Sequence, residues 1–261
     1  MKISKRNDIL VLSFFFVLVA MFATLLFFFF KGEDFQVQTA TVPIPDGVLT
    51  ISVNSKTPIV TIKSSDSNTA YLTYQKVEAQ NNELDAVSTS LQDTTFNVKI
   101  DRVKYNSISA NRPKSAELLI FLPKDSGLSV KINGDVGKID VDGVTVNSLS
   151  VEGKASTMSL VSSDISKLSL TGNSANLSVK SSKIGNVFAD LDVCNAHVFD
   201  INKMGGFILD ADITLGRINN DLGLHIGQWG LFAEYKEKIS FGQAATKIEL
   251  KVNLANITLS G

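Results

Sequence analysis

The sequence predicts an all-β chain: a parallel β-solenoid with a repeat of 19–20 residues, preceded by antiparallel strands and by one N-terminal transmembrane helix. Three observations predict it. An uncharged run of 22 residues lies near the N-terminus. The segment "LSVEGKASTMSLVSSDISK" then lies almost letter for letter over "LSLTGNSANLSVKSSKIGN", 19 residues on. Around that repeat, apolar and polar residues alternate with period two, the mark of half-buried strands.

The apolar run is Ile9–Phe30, and eight of the chain's 16 Phe precede Lys31. As a helix rising about 1.5 Å per residue it reaches roughly 33 Å, enough for a bilayer core of about 30 Å. Lys2, Lys5 and Arg6 precede it, and such a basic flank stays in the cytoplasm. A cleaved signal peptide would have a shorter apolar region ending in a small-x-small site. Here the run ends in four Phe, so an uncleaved anchor in the cytoplasmic membrane is expected, with residues 1–8 inside and a linker over 31–46.

Strands are predicted at Val48–Val53, Ile59–Ser64, Ala70–Val77, Thr95–Val103 and Ala116–Pro123, within a β cap region spanning 47–125. The solenoid follows over 126–218. Its inward residues recur as Leu149, Leu168, Val187 and Phe207, with Val151, Leu170, Ala189 and Leu209 two positions on. A second strand gives Ile139, Met158, Leu177 and Ala196, accompanied by Val141, Leu160, Val179 and Val198. A corner series runs Val144, Ile165, Ile184 and Met204, and Ser162-Ser163 falls on Ser181-Ser182. No such strand can bury its apolar face alone, so successive units stack. Residues 219–261 are expected to form a C-terminal β cap ending in a long strand, because the open end of a solenoid must be covered.

Composition bounds the function. Beyond the apolar run, 22 Lys and Arg face 25 Asp and Glu, so there is no basic surface for nucleic acid. Cys194 is the only cysteine, which excludes an intramolecular disulfide and suits a long regular core in a bacterial envelope. No metalloprotease, Cys-x-x-Cys, nucleophile-elbow or phosphate-loop motif occurs, and no catalytic residue is assigned. His197 is read as facing outward, with Asp200 nearby in sequence, and Trp229 as a wedge at the end of the core.

One constellation carries possible chemistry. Asp190 and Asp192 face outward from one predicted coil, and Asp210 and Asp212 take the same places 20 residues later. Stacked directly, these carboxylates would repel one another, and calcium with its oxygen preference would relieve the repulsion. The alternative is a solvated acidic face. No other cofactor is expected.

The order of parts resembles a known family. A membrane helix, then "ELLIFLPKDSGLSVKINGDVGKIDVDG", then Ser/Asn-rich coils is similar to the bacterial "putative adhesin" family of envelope proteins; the matching residues are Leu122, Pro123, Leu128, Val130, Gly134, Asp135 and Val136. The resemblance implies a β-solenoid and brings no catalytic residues. The expected function is a membrane-anchored, extracytoplasmic, non-enzymatic binding or structural module of the cell envelope, contacting an envelope protein or polysaccharide. The alternatives are a carbohydrate-active β-helix enzyme and the ectodomain of an envelope-stress signalling complex.

Overall fold

Stacked parallel strands make up most of the computed structural model, which describes residues 35–55, 59–79, 82–83, 85–102, 117–153, 156–198, 206–222, 235–242 and 246–260. Ile9–Phe30 and Trp229 lie outside these residues, as does Asp200. Among the described residues no helix is long and apolar enough to cross a membrane.

The repeat forms as its alternation requires. Strands β9 (Ser129–Gly134) and β10 (Lys138–Asp142) make one coil, and β11 (Thr145–Gly153) and β12 (Ser156–Val161) the next. The long strands β13 (Asp164–Lys180) and β14 (Lys183–Val198) each bend to make a whole coil. Parallel pairing advances by 19 residues: Leu149 lies on Leu168 and Leu168 on Val187. On the second strand, Ile139 lies on Met158, Met158 on Leu177 and Leu177 on Ala196. Leu149, Met158, Leu160 and Leu168 are all fully buried.

Turn chemistry closes each coil. Ser162 and Ser181 adopt φ of 49° and 50°, the left-handed conformation that Gly143 supplies one coil earlier. The serines that follow are buried and satisfied. Ser163 Oγ donates to the Val161 carbonyl at 2.8 Å and accepts from the Val144 amide at 3.4 Å. Ser182 Oγ donates to the Lys180 carbonyl at 3.0 Å and accepts from the Ser163 amide at 3.1 Å. The corner column is therefore Val144, Ser163 and Ser182. Ile165 and Ile184 stack instead with Val146, which corrects the corner series read from the sequence; Met204 lies outside the described residues.

At the opposite corner backbones touch through a glycine column. A Cβ on Gly153 would stand 1.9 Å from the Gly134 carbonyl oxygen, and one on Gly172 1.8 Å from that of Gly153. Gly153→Ala is expected to force the coils apart and to cost roughly 1–3 kcal/mol, the scale of core overpacking. Chemical denaturation of the variant checks this. An unchanged midpoint would mean that the coils are not in contact at this corner.

Both ends of the stack depart from chain order. At the N-terminal end, β2 (Thr50–Ser55) and β3 (Ile59–Ser65) form a coil inserted between β7 (Thr95–Arg102) with β8 (Glu117–Pro123) and β9 with β10. These strands run parallel to the repeat, so the solenoid extends beyond the expected 126–218 into the region read as a separate cap. Among the described residues antiparallel pairing is confined to the flanks; at this end it joins β1 (Phe35–Pro43) to β4 (Tyr71–Ala79), β4 to β5 (Asn82–Glu83) and to β8, and β6 (Asp85–Gln92) to β7.

At the C-terminal end, β17 (Thr246–Leu259) slides between β14 and β15 (Gly206–Asn220), parallel to both. Strand β16 (Tyr235–Gly242) then pairs antiparallel outside β15. The long final strand exists as expected, but it is an interior coil and not a lid. Val187 consequently lies on Ile248, which lies on Leu209; Phe207 pairs with Thr246. An inserted strand is paired on both edges, which removes an aggregation-prone edge at the chain's end.

Candidate functional site

Insertion of β17 dismantles the expected carboxylate stack. Asp190 lies beside Lys251, and Lys251 beside Asp212, so a cation separates the two acids. Asp210 lies between Glu249 and Lys238 in register. At the bend, Asn253 Nδ2 donates to Asp192 Oδ1 at 3.0 Å, and Thr214 Oγ1 donates to Asn253 Oδ1 at 3.5 Å. The pair Asp190 and Asp192 on β14 is thus separated by β17 from the pair Asp210 and Asp212 on β15. Among the described residues no group of three or more His, Cys, Asp or Glu could hold a metal ion. In the row of Asp190, Lys251 and Asp212 charge alternates from strand to strand, which relieves the repulsion there; Asp210 keeps Glu249 on one side and Lys238 on the other.

His197 faces solvent from β14, in register with Ser178 and Thr258. Cys194 points the other way, into the core between Ala175 and Ala255. Burial pushes its thiol from an ordinary 9.0 up to about 11, which makes it a poor nucleophile near neutral pH. Below pH 9 the thiol is protonated folded or unfolded, and stability is unaffected. Above that the unfolded chain ionises first, so stability is lost as pH rises from about 9 to about 11. Two pKa units correspond to roughly 2–3 kcal/mol. Denaturation of the wild type and of Cys194→Ala between pH 8 and pH 11 should show the wild type losing more. Parallel pH profiles would show that the thiol is hydrated.

Small side chains at Ala189, Cys194 and Ala196 leave an apolar cavity of about 50 Å³ inside the coils, bounded by Leu168, Leu177 and Ile248 among others. It contains no polar lining group and offers no chemistry. Outside, Asn176, Asn195 and Asn256 fall in one register column across the coils. Asn195 Nδ2 donates to Asn176 Oδ1 at 3.0 Å, and Arg217 Nε donates to Asn256 Oδ1 at 3.2 Å.

A concave polar feature lies elsewhere, on the outward face of the N-terminal coils. A groove of about 350 Å³ is lined by β6, β7, β2 and β9, with Ser52, Asn54, Asn97, Lys99 and Asn133 among its residues. The register sets two rows across these strands: Ser90, Asn97, Ser52 and Lys131, then Ser88, Lys99, Asn54 and Asn133. Adjacent groups in a row are about 4.8 Å apart, and the rows are about 7 Å apart. Asn133 Oδ1 is buried and has no hydrogen-bond partner. Sequence reading did not find this groove. Its strands are brought together by the out-of-order insertion of β2, and no local spacing announces that.

No curated protein matches the chain. Among solved structures it is similar to a putative cell adhesion protein from Clostridium sporogenes ATCC 15579, at 13% identity and TM-score 0.46, covering 86% of this chain and 99% of that one. It is also similar to a putative adhesin from Bacteroides fragilis NCTC 9343, at 14% identity and TM-score 0.40, covering 87% and 97%. A putative lipid binding protein from Parabacteroides distasonis ATCC 8503 matches at 12% identity and TM-score 0.30, covering 88% and 98%. No ligand or role is transferred at such similarity. A family model matches residues 48–221, from the first inserted coil through β15. The residues that carried the family resemblance are structural: Leu122, Leu128, Val130 and Val136 are buried, and Gly134 sits in the glycine column. On that match the chain belongs to the Toastrack DUF4097 family.

Proposed function

We propose that this chain is a binding module of the bacterial cell envelope, tethered to the cytoplasmic membrane by Ile9–Phe30 and presenting its solenoid on the extracytoplasmic side. The observation that carries this reading is the uncharged run with Lys2, Lys5 and Arg6 before it and a family solenoid after it. A regular stack of coils gives a long, rigid surface on which polar side chains stand in fixed rows, the kind of scaffold that presents a contact face. The charge rows at Asp190, Lys251 and Asp212 are offset by opposite signs, which favours a contact surface over a pair of carboxylates poised for glycosidic cleavage.

Protease added to spheroplasts tests the reading. The solenoid is expected to be digested while the membrane stays intact, leaving only a short membrane-embedded fragment. Complete protection until the membrane is lysed, with control external proteins digested, would place the domain inside and overturn it.

A further inference from the structure

We propose that the groove across β6, β7, β2 and β9 is a glycan-binding site that takes a neutral or acidic oligosaccharide. This deepens the binding-module reading and rests on it only for where the glycan would be met.

Apart from Lys99, the side chains that face the groove are hydroxyls and carboxamides, including Ser52, Asn54, Ser90, Asn97 and Asn133. Each of these groups can both donate and accept. A surface of this kind matches a ligand whose own groups do the same, which is the property of sugar hydroxyls. The volume of about 350 Å³ falls in the usual range for ligand sites, about 300–1,000 Å³.

Spacing supports the same class. The two rows repeat once per strand, about 4.8 Å, close to the rise of one sugar in an extended chain. A glycan laid across the strands would therefore meet a fresh pair of polar side chains at each residue. Other classes fit less well. Nucleic acid would need stacking aromatics and several cations, and the groove lining has no aromatic residue and one lysine. A peptide adding as a strand would need a sheet edge, whereas Asn54 and Asn133 stand on the face of interior strands. A divalent cation would need carboxylates, and none lines the groove.

Asn133 is the second, independent observation. Its Oδ1 is buried without a donor, although the neighbouring strand carries Asn54 directly beside it. A carboxamide with an unsatisfied oxygen gains by turning that oxygen toward a donor. The groove is the polar space into which it can turn, and a sugar hydroxyl would supply the proton. The groove lining holds Lys99 and no carboxylate, and Lys131 ends the first row, so acidic or neutral chains are accepted and a cationic one is disfavoured.

Without an aromatic platform each site is weak, and tight attachment would come from many copies engaging one polymer. The test is saturation-transfer NMR on the purified full-length chain in a sugar-free detergent. The probes are a neutral trisaccharide, a uronic-acid trisaccharide and a glucosamine trisaccharide. Transfer to the first two and little to the third is expected. Asn54→Ala with Asn133→Ala should weaken binding about tenfold, the scale of two lost neutral hydrogen bonds, while Asn195→Ala on β14, outside the groove, leaves it unchanged. Should the double variant fold poorly, the exposed Ser90→Ala with Lys99→Gln serves in its place, and the cationic probe should then gain relative to the acidic one. No transfer to any probe, or equal transfer to wild type and groove variants, overturns the proposal. The protease experiment is independent of this result, so a failed groove and a failed location are told apart.

Discussion

Leu168→Asp is expected to abolish folding. Leu168 is fully buried in β13, with Leu149 of the preceding coil on one side and Val187 of the next on the other. Truncation to alanine alone should cost about 2–5 kcal/mol, the usual range for a buried leucine. Aspartate adds a carboxylate in a space whose neighbours Leu170, Leu177, Val179 and Ile248 are all apolar. A buried charge without a partner costs several kcal/mol more. Together these reach the whole stability of a typical domain, about 5–15 kcal/mol. Far-UV circular dichroism and limited proteolysis of Leu168→Asp against Leu168→Ala read the difference. A Leu168→Asp protein that melts like the parent would mean that the register is off by one residue, because such a slip exchanges the two faces of a strand.

The repeat was legible because its information is local. From Ile139 to Val198, each residue's neighbour in the stack lies 19 positions away in the chain, and alternation shows which side faces in. The Ser162-Ser163 and Ser181-Ser182 turns recur for the same reason. Legibility ended where spatial neighbours stop being sequence neighbours. β2 lies on β7 and β9, and β14 lies on β17 with a step of 61 residues at Asn186 and Lys247. A sequence repeat cannot announce an insertion of that kind. One signal was nonetheless present: Ile248, Leu250 and Val252, then Ala255, Ile257 and Leu259, carry the two strand phases of a coil and are all buried. The repeat alone places Asp190 on Asp210 and Asp192 on Asp212, because it extends the 20-residue step past the point where the chain leaves it. The groove around Asn54 and Asn133 was hidden by the same rule.

Ending the chain after Gly242 is expected to leave little folded protein, because it removes an interior coil. Ile248, Leu250, Val252, Ala255, Ile257 and Leu259 are buried between β14 and β15. At about 1.5–3 kcal/mol for each large apolar side chain buried, their loss comes to roughly 10 kcal/mol, and two long strands lose a parallel neighbour at the same time. A terminal lid would behave differently: its removal would fray one end and lower the melting temperature only modestly. The truncated chain could in principle recover by dropping β15 onto β14 in the register that the repeat suggests, Val187 against Phe207. A crosslink separates these possibilities. Cys194 is the chain's only cysteine, and Ala255 lies directly across from it in β17. Paired Cα atoms of neighbouring strands fall within the 4.4–6.8 Å or so that a disulfide spans. Ala255→Cys in the full chain should therefore oxidise to an intramolecular disulfide with Cys194, seen as a faster band on non-reducing gels. If β14 instead stacked directly on β15, residue 255 would be a strand or more away and the bond would not form. Failure to crosslink, together with a truncated chain that melts like the parent, would show that β17 is a lid and that the inserted topology is wrong.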